Sequence, residues 1–330
     1  MSAAFPAPGL LDHGLGMAKR SKVHPNYKGL YRVTNWPSYD RGLVGRGSLT
    51  VWFSPEAIDA WTPEKTGRRG GQRRYSDVAV QTALHLRLLL GLPWRQTEGL
   101  LRSLIELVGI DLDVPDHTML SRRSRYLATD RFRSPSSGPI HLIVDASGLK
   151  VFGQGEWAAA KYGRRCMGWR KLHLAVDEVG RIVAAELTDN DVADASVFPT
   201  LLRKTDGKIV RFTADGAYDR REVYNAAGRR GAYVVVPPQR GAVISGDPIL
   251  RTRDRHIRRI ARVGRSQWRR EKGQHRQARA ENTFYRYKRI IGPGLRARHP
   301  MAQRNEMLAA CNLLNWMSSL GMPRSQKLAA

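Results

Sequence analysis

The sequence predicts an α/β protein, a mixed sheet with helices on both faces, preceded by a mainly helical region. Three observations carry this. Helical periodicity dominates at 77–90, at 94–109 and again after Asp116. From residue 139 short apolar runs replace it, and the order reads β-β-β-α-β-α-β-α-α. The second and third runs form a tight hairpin, and later strands alternate with helices, which is how parallel neighbours are connected.

The elements follow in order. Residues 1–26 are rich in Gly, Pro and Lys and read as a flexible basic N-terminus, with the stretch before Met17 expected to be dispensable. "SLTVWFSPEAIDAW" at 48–61 reads as a short strand and then a helix, with Ser54 as N-cap and Pro55 at the first helical position. "KTGRRGGQRR" at 65–74 is a Gly/Arg linker. Three helices follow, broken by "GLP" at 91–93 and by "VPD" at 114–116, with Asp116 capping the third. That third helix carries Arg122, Arg123 and Arg125. The pattern over 27–133 suits a helix-turn-helix type of DNA reader; it also suits a plain three-helix bundle with a solvated arginine face.

Beyond "SPSSG" at 134–138 a second unit spans 134–330. "PIHLIVDASGLKVF" is a buried central strand, and "KLHLAVDEVGRIVAAELT" is a hairpin turning at Gly180, which is free to take positive φ. "DVADASVFPTLLRK" is a helix, "KIVRFTAD" a buried strand, and a helix near 220–228 leads to a fifth strand, "GAYVVVPP". The segment 249–289 holds 15 Lys and Arg against three acids, and an amphipathic helix closes the chain.

Charge narrows the partners. Lys and Arg total 56 against 29 acids, a formal +27. Such an excess repels itself, and a polyanion, nucleic acid first, is its natural complement. Two cysteines, Cys166 and Cys311, far apart in the sequence, make neither a disulfide framework nor a zinc-ligand cluster, which fits a reducing cytosol. The most apolar run, "LHLRLLLGL", is too short and too charged to span a bilayer. A cytoplasmic, nucleoid-associated protein without membrane contact is expected.

Two carboxylates end apolar strands, Asp145 and Asp215, where an ionised group is costly without a cation. Asp219 precedes Glu222 at capping-box spacing and is explained as a cap; Asp189, Asp191 and Asp194 read as a solvated loop leading to a helix. Lys171 and His173 share one strand face, toward substrate or solvent. Glu281 is the lone acid of "HRQARAENTFYRYKRIIG". On a helical wheel it shares its face with Gln274, Gln277 and Lys288, while Arg276 and Arg279 point away. Phe284 and Tyr285 flank that face and are expected to rest on the sheet; Glu271 is the fallback acid. Three carboxylates in a basic chain suit a pair of hard divalent cations about 3.5–4 Å apart, clamping the attacking and leaving oxygens of a phosphodiester.

Five blocks in order, "VDASGLKVFGQGEW", "RKLHLAVDEVGRIVAAELT", "TADGAYD", "AENTFYRYKRIIG" and "NEMLAACNLLN", resemble the DDE transposases of bacterial insertion sequences, in particular the insertion-sequence-five group. "VTNWPSYDRGLVGRGSLTVWF" and "LPWRQTEGLL" resemble the N-terminal part of the same group, so the likeness covers roughly 27–320. It implies an RNase H-like catalytic domain, with a five-stranded mixed sheet whose first three strands are antiparallel. Its catalytic and metal-holding acids map onto Asp145, Asp215 and Glu281. It further implies two Mg²⁺ ions (Mn²⁺ substituting), cleavage at terminal inverted repeats with strand transfer to target DNA, and a homodimer. Relatives place Tyr, Arg and Lys at −7, −4 and +7 from the Glu; here Lys288 matches, and Gln274 and Gln277 depart. Expected DNA contacts are Lys288, Arg276, Arg279, Arg286, Arg122, Arg123, Lys171 and His173. A catalytically retired DNA-binding descendant and a nuclease that cuts without joining are the rival readings.

Overall fold

The computed structural model describes residues 31–48, 53–65, 67, 69–127, 132, 138–153 and 168–327. The strand expected just before Ser54 and the N-terminal 26 residues lie outside this set.

The helical region begins with β1 (Tyr31–Val33) and α1 (Trp36–Gly45), then α2 (Pro55–Asp59), α3 (Asp77–Leu90), α4 (Trp94–Val108) and α5 (His117–Arg123). The caps are those the sequence announces. Ser54 accepts the Ala57 N–H, and Asp116 accepts the N–H groups of Thr118 and Met119, satisfying donors that a first helical turn leaves open. Gly91 and Gly109 end α3 and α4 in the left-handed conformation that costs glycine least. The third helix ends at Arg123, a turn short of its apolar pattern.

The sheet follows: β2 (Ile140–Val151), β3 (Trp169–Val176), β4 (Ile182–Asp189), α6 (Asp194–Lys204), β5 (Ile209–Thr213), α7 (Arg221–Arg229) and β6 (Tyr233–Val235). The order across it is β4-β3-β2-β5-β6. β2, β3 and β4 pair antiparallel, whereas β5 lies parallel to β2, and β6 to β5. This is the RNase H-like arrangement expected, with one addition. The two-residue β7 (Gly294–Leu295) pairs with the far end of β2, making six strands. The β3–β4 hairpin turns at Gly180 with φ +83°.

Two cores flank the sheet. One unites Leu142, Val144 and Phe212 with Phe198 and Leu201 of α6 and Val223 of α7. The other joins Ile143, Leu149 and Leu174 to α3 through α5 and to the last helix, α10 (Pro300–Ser319). The helical region therefore shares a core with one face of the sheet. Asn315 of α10 fixes the start of β4, its amide accepting Ile182 N–H at 2.8 Å and donating to Ile182 C=O at 2.7 Å. At the chain's far end β8 (Ser325–Lys327) pairs antiparallel with β1.

Between β6 and α10 lies the basic segment. α8 (Arg251–Lys272) is not one rod: Gly264 at φ 78°, ψ 158° breaks it into two arms. Residues twelve apart then meet, since Trp268 Nε1 donates to His256 Nδ1 at 3.1 Å and Arg259 bonds Glu271 at 2.7 and 2.8 Å. In a continuous helix they would stand about 18 Å apart. The result is a helical hairpin with His256 and Trp268 buried inside and Arg255, Arg258, Arg262 and Arg269 exposed. A 3₁₀ turn, Gln274–Gln277, leads into α9 (Ala278–Ile290).

Candidate active site

β2 carries Asp145 in mid-strand, opposite Leu174 of β3. Asp215 stands just past the end of β5, where its Oδ1 accepts the Ala217 N–H at 3.0 Å and caps the 3₁₀ turn Gly216–Tyr218. The turn-like "DGAY" is thus real, and it holds a carboxylate at the mouth of the parallel strand pair. Glu281 sits in the first turn of α9, exposed.

Two side chains fasten α9 against β2. Gln277 Nε2 donates to the Val144 carbonyl at 3.0 Å, and Lys288 Nζ donates to Ser147 Oγ at 2.7 Å. Val144 and Ser147 bracket Asp145, while Gln277 and Lys288 bracket Glu281. The helical wheel's shared face therefore borders the buried face of α9 (Ala280, Thr283, Phe284 and Tyr287): Gln277 and Lys288 reach β2 from it, and Glu281 stays exposed. Phe284 is buried beside it, whereas Tyr285, expected to pack too, is 69% exposed.

Electrostatics tie the acids together. Burial pushes the Asp145 carboxyl up to about 6; the Ala146 N–H pulls the other way, and the negative charges of Asp215, Glu281 and Asp194 add to the rise. Asp215 is also raised, by burial and then by Asp194. The Tyr218 phenol is pushed up by burial and by Asp194, Asp145 and Asp215, and its buried hydroxyl meets no partner among the described residues.

Asp194 is the member that sequence reasoning missed. Its carboxylate opens α6 with Lys171 Nζ 3.0 Å away and His173 Nδ1 at 3.9 Å. Lys171 also donates to the Val192 carbonyl at 2.8 Å. Read as a solvated loop acid, Asp194 is instead half-buried beside the site. The signal that could have found it was the Lys171/His173 alternation on β3, which needed an acid opposite.

Several expected DNA contacts are placed elsewhere. His173 is fully buried, hydrogen-bonded to Thr188 Oγ1 at 2.9 Å, and burial pushes its imidazole down to about 4, so it is neutral and out of reach of a phosphate. Lys171 is held by Asp194 and Val192. Arg123 braces α3, donating to Asp77 and to the Tyr75 carbonyl. Arg286 donates to Ser318 Oγ at 2.7 Å and Leu314 O at 3.4 Å, locking α9 to α10. Arg276 pairs with Glu178 of the β3–β4 turn at 2.9 Å. Arg122 and Arg279 are exposed and have no carboxylate partner among the described residues. Glu271 is taken by Arg259 across the helical hairpin, which removes it as fallback acid. Asp219 caps no helix: its side chain is 1% exposed and receives Arg253, Tyr224 and the Gln239 N–H.

A hard divalent cation suits this donor set. Among the described residues no three His, Cys, Asp or Glu side chains converge on one point. Mg²⁺ asks for less, one or two carboxylates completed by waters and substrate phosphate. A cation between Asp145 and either neighbour would relieve the repulsion that raises Asp145.

Sheet order and acidic cluster together define an RNase H-like α/β domain with a carboxylate centre on its middle strand. A family model described as "Transposase DDE domain" matches residues 136–316, and a second model of the same description matches 44–154. The first spans more than half of the chain, and the chain belongs to this transposase family, whose activity is DNA transposition. DDE transposases generally use divalent metal ions. One similar solved structure is a Mos1 transposase paired-end complex with the left transposon end, 14% identical with a TM-score of 0.22, covering 70% of this chain and 83% of that chain. Among the described residues no helix is long and apolar enough to cross a membrane.

Proposed function

We propose that this protein is an insertion-sequence transposase of the insertion-sequence-five group, of bacterial origin, acting as a dimer on its element's terminal inverted repeats. Asp145, Asp215 and Glu281 are its catalytic acids. The observation that supports this reading is the double fastening to β2, Gln277 to Val144 and Lys288 to Ser147, which ties the helix that carries Glu281 to the strand that carries Asp145. Asp145, Asp215 and Glu281 would hold the metal ions, with Asp145 at the centre of the set. Two Mg²⁺ ions, or Mn²⁺, would supply an activated nucleophile and neutralise the leaving oxygen.

The remaining work falls to the chain. Lys288 presents its ammonium beside Glu281 for a phosphate of the scissile strand. The exposed arginines of the α8 hairpin, with Arg279 and Arg122, follow the DNA backbone. Hydrolysis at the element end leaves a 3′-OH and a 5′-phosphate; the 3′-OH then attacks a target phosphodiester and displaces a new 3′-OH from the target strand. Gln274 and Gln277 stand where relatives have Tyr and Arg, and Gln277 serves here as a backbone clamp.

The test is an Mg²⁺-dependent cleavage assay on the element's own end sequence. Asp145→Asn, Asp215→Asn and Glu281→Gln are expected to bind that end like wild type and to leave it uncut. Cleavage surviving in any of them removes that residue from the site. Pre-cut ends offered with target DNA then separate a joining enzyme from a nuclease.

A further inference from the structure

A second site lies away from the carboxylates, where the helical region meets the catalytic unit. A cavity of about 290 Å³ opens between α3, α4 and α5 on one side and the β7–α10 loop on the other. Four arginines line it, Arg87, Arg125, Arg296 and Arg298, with Trp94 and Glu306. Only one anion is present to meet them, and it is already committed. Glu306 is buried, accepts the N–H groups of Arg296 at 2.9 Å and Ala297 at 2.8 Å, and stands 3.5 Å from Arg87. Arg125 and Arg298 have no carboxylate partner among the described residues.

Three further details make this a built site rather than a crowded surface. Arg87 is only 4% exposed, lies 4.7 Å from the Trp94 ring centroid, and its Nε has no hydrogen-bond partner among the described residues. Arg296 is close enough to Arg87 to depress its guanidinium, after burial itself. The N-terminus of the 20-residue α10 opens here too, with the cap residue His299 and Ala302 on the cavity wall. Surplus guanidinium groups, an unsatisfied buried donor and the positive end of a long helix all call for one ligand class, a phosphate.

We propose that this cavity binds a backbone phosphate of the DNA being processed, outside the catalytic centre. The inference rests on the transposase reading for the source of the phosphate, though not for the anion chemistry. The size is right for one phosphate with its sugar, at the bottom of the range for ligand pockets. The position is right as well. β7 leads into the cavity loop and pairs with Lys150 and Val151 of β2, five and six residues beyond Asp145. That is about 17–20 Å along an extended strand, or about five to six base pairs of duplex at 3.4 Å each. A phosphate held there would set the register of the duplex across the acids.

The experiment uses the full chain. DNA affinity for a labelled duplex is measured by fluorescence anisotropy between about 50 and 200 mM salt. Arg125→Gln/Arg298→Gln is expected to flatten the log–log salt slope by about one, the loss of one phosphate contact. Arg203→Gln/Arg229→Gln, with equal charge loss on α6 and α7, is expected to leave the slope within a few tenths of wild type. Arg298→Gln alone, an exposed change that cannot unfold the core, should give part of the effect. Equal slopes for pocket and control variants overturn the proposal. In a parallel arm, inorganic phosphate should raise the melting temperature of wild type more than that of the pocket variant. A wild type that binds no DNA, yet shows this phosphate effect, overturns the DNA assignment and with it the transposase reading. No phosphate effect together with an unchanged slope overturns the pocket alone.

Discussion

Lys288 Nζ donates to Ser147 Oγ at 2.7 Å, so the residue seven after Glu281 is tied to the residue two after Asp145. With the Gln277–Val144 bond it ties the helix that carries one acid to the strand that carries another. It also parks an ammonium beside the carboxylates.

Two variants separate these roles. Lys288→Met keeps the stem and removes donor and charge; single-turnover cleavage of bound DNA should fall roughly 10- to 100-fold, as for a charged hydrogen bond worth about 1.5–3 kcal/mol. Ser147→Ala leaves the charge in place and should cost only a few-fold. Equal losses would mean that Lys288 positions α9 and does not meet the phosphate.

Stability should depend on pH through Asp145. Its carboxyl is raised from 3.8 to about 6 in the folded protein. A raised acid binds its proton more tightly when folded, so its penalty is absent below about pH 4, develops between 4 and 6, and is complete above. Asp145→Asn removes that penalty. Metal-free Asp145→Asn is expected to match wild type at pH 4 and to exceed it by about 1–2 kcal/mol at pH 8, the full shift being worth about 3 kcal/mol and solvent screening part of it. Urea unfolding at the two pH values in chelator checks this, and a variant less stable than wild type at pH 8 would contradict it.

Asp219 offers a choice between two magnitudes. As a helix cap its loss would cost about 1 kcal/mol, and serine would replace it. As the buried partner of Arg253 at 2.9 Å, its loss should cost about 3–5 kcal/mol, and serine should not help. Asp219→Ser is expected to shift the urea midpoint by the larger amount.

Gly264 turns the basic hairpin at φ 78°, ψ 158°, a region open essentially to glycine. Gly264→Ala should cost about 1–3 kcal/mol locally, loosening the Arg259–Glu271 pairing. Duplex affinity should fall and its salt slope flatten, while the Asp145 neighbourhood stays intact. Hydrogen exchange should show the change confined to 251–272.

The sheet was legible because buried strands leave continuous apolar runs such as Leu142–Val144, and the wheel through Glu281 found Gln277 and Lys288 because helical geometry is periodic. What escaped depends on tertiary partners. Nothing local marks Gly264 as a reversal, since the arginines around it suit one long helix as well as two short arms. His173 reads as facing substrate or solvent because alternation on β3 does not say which face is covered. Asp219 and Asp194 carried good local explanations, and long-range cations overrode both. β7, at two residues, is below any sequence signal.

The pairing of β1 with β8 has a consequence in time. Residues 31–46 find long-range hydrogen-bond partners at 317–327, among them Thr34 with Arg324, Asn35 with Met322 and Arg46 with Met317. At a synthesis rate of about 5–20 residues per second, the earlier segment waits roughly 15–60 s for the later one to emerge. Through that interval the nascent helical region carries an unfilled edge, and the polypeptide becomes a closed circuit only when its distant segments meet.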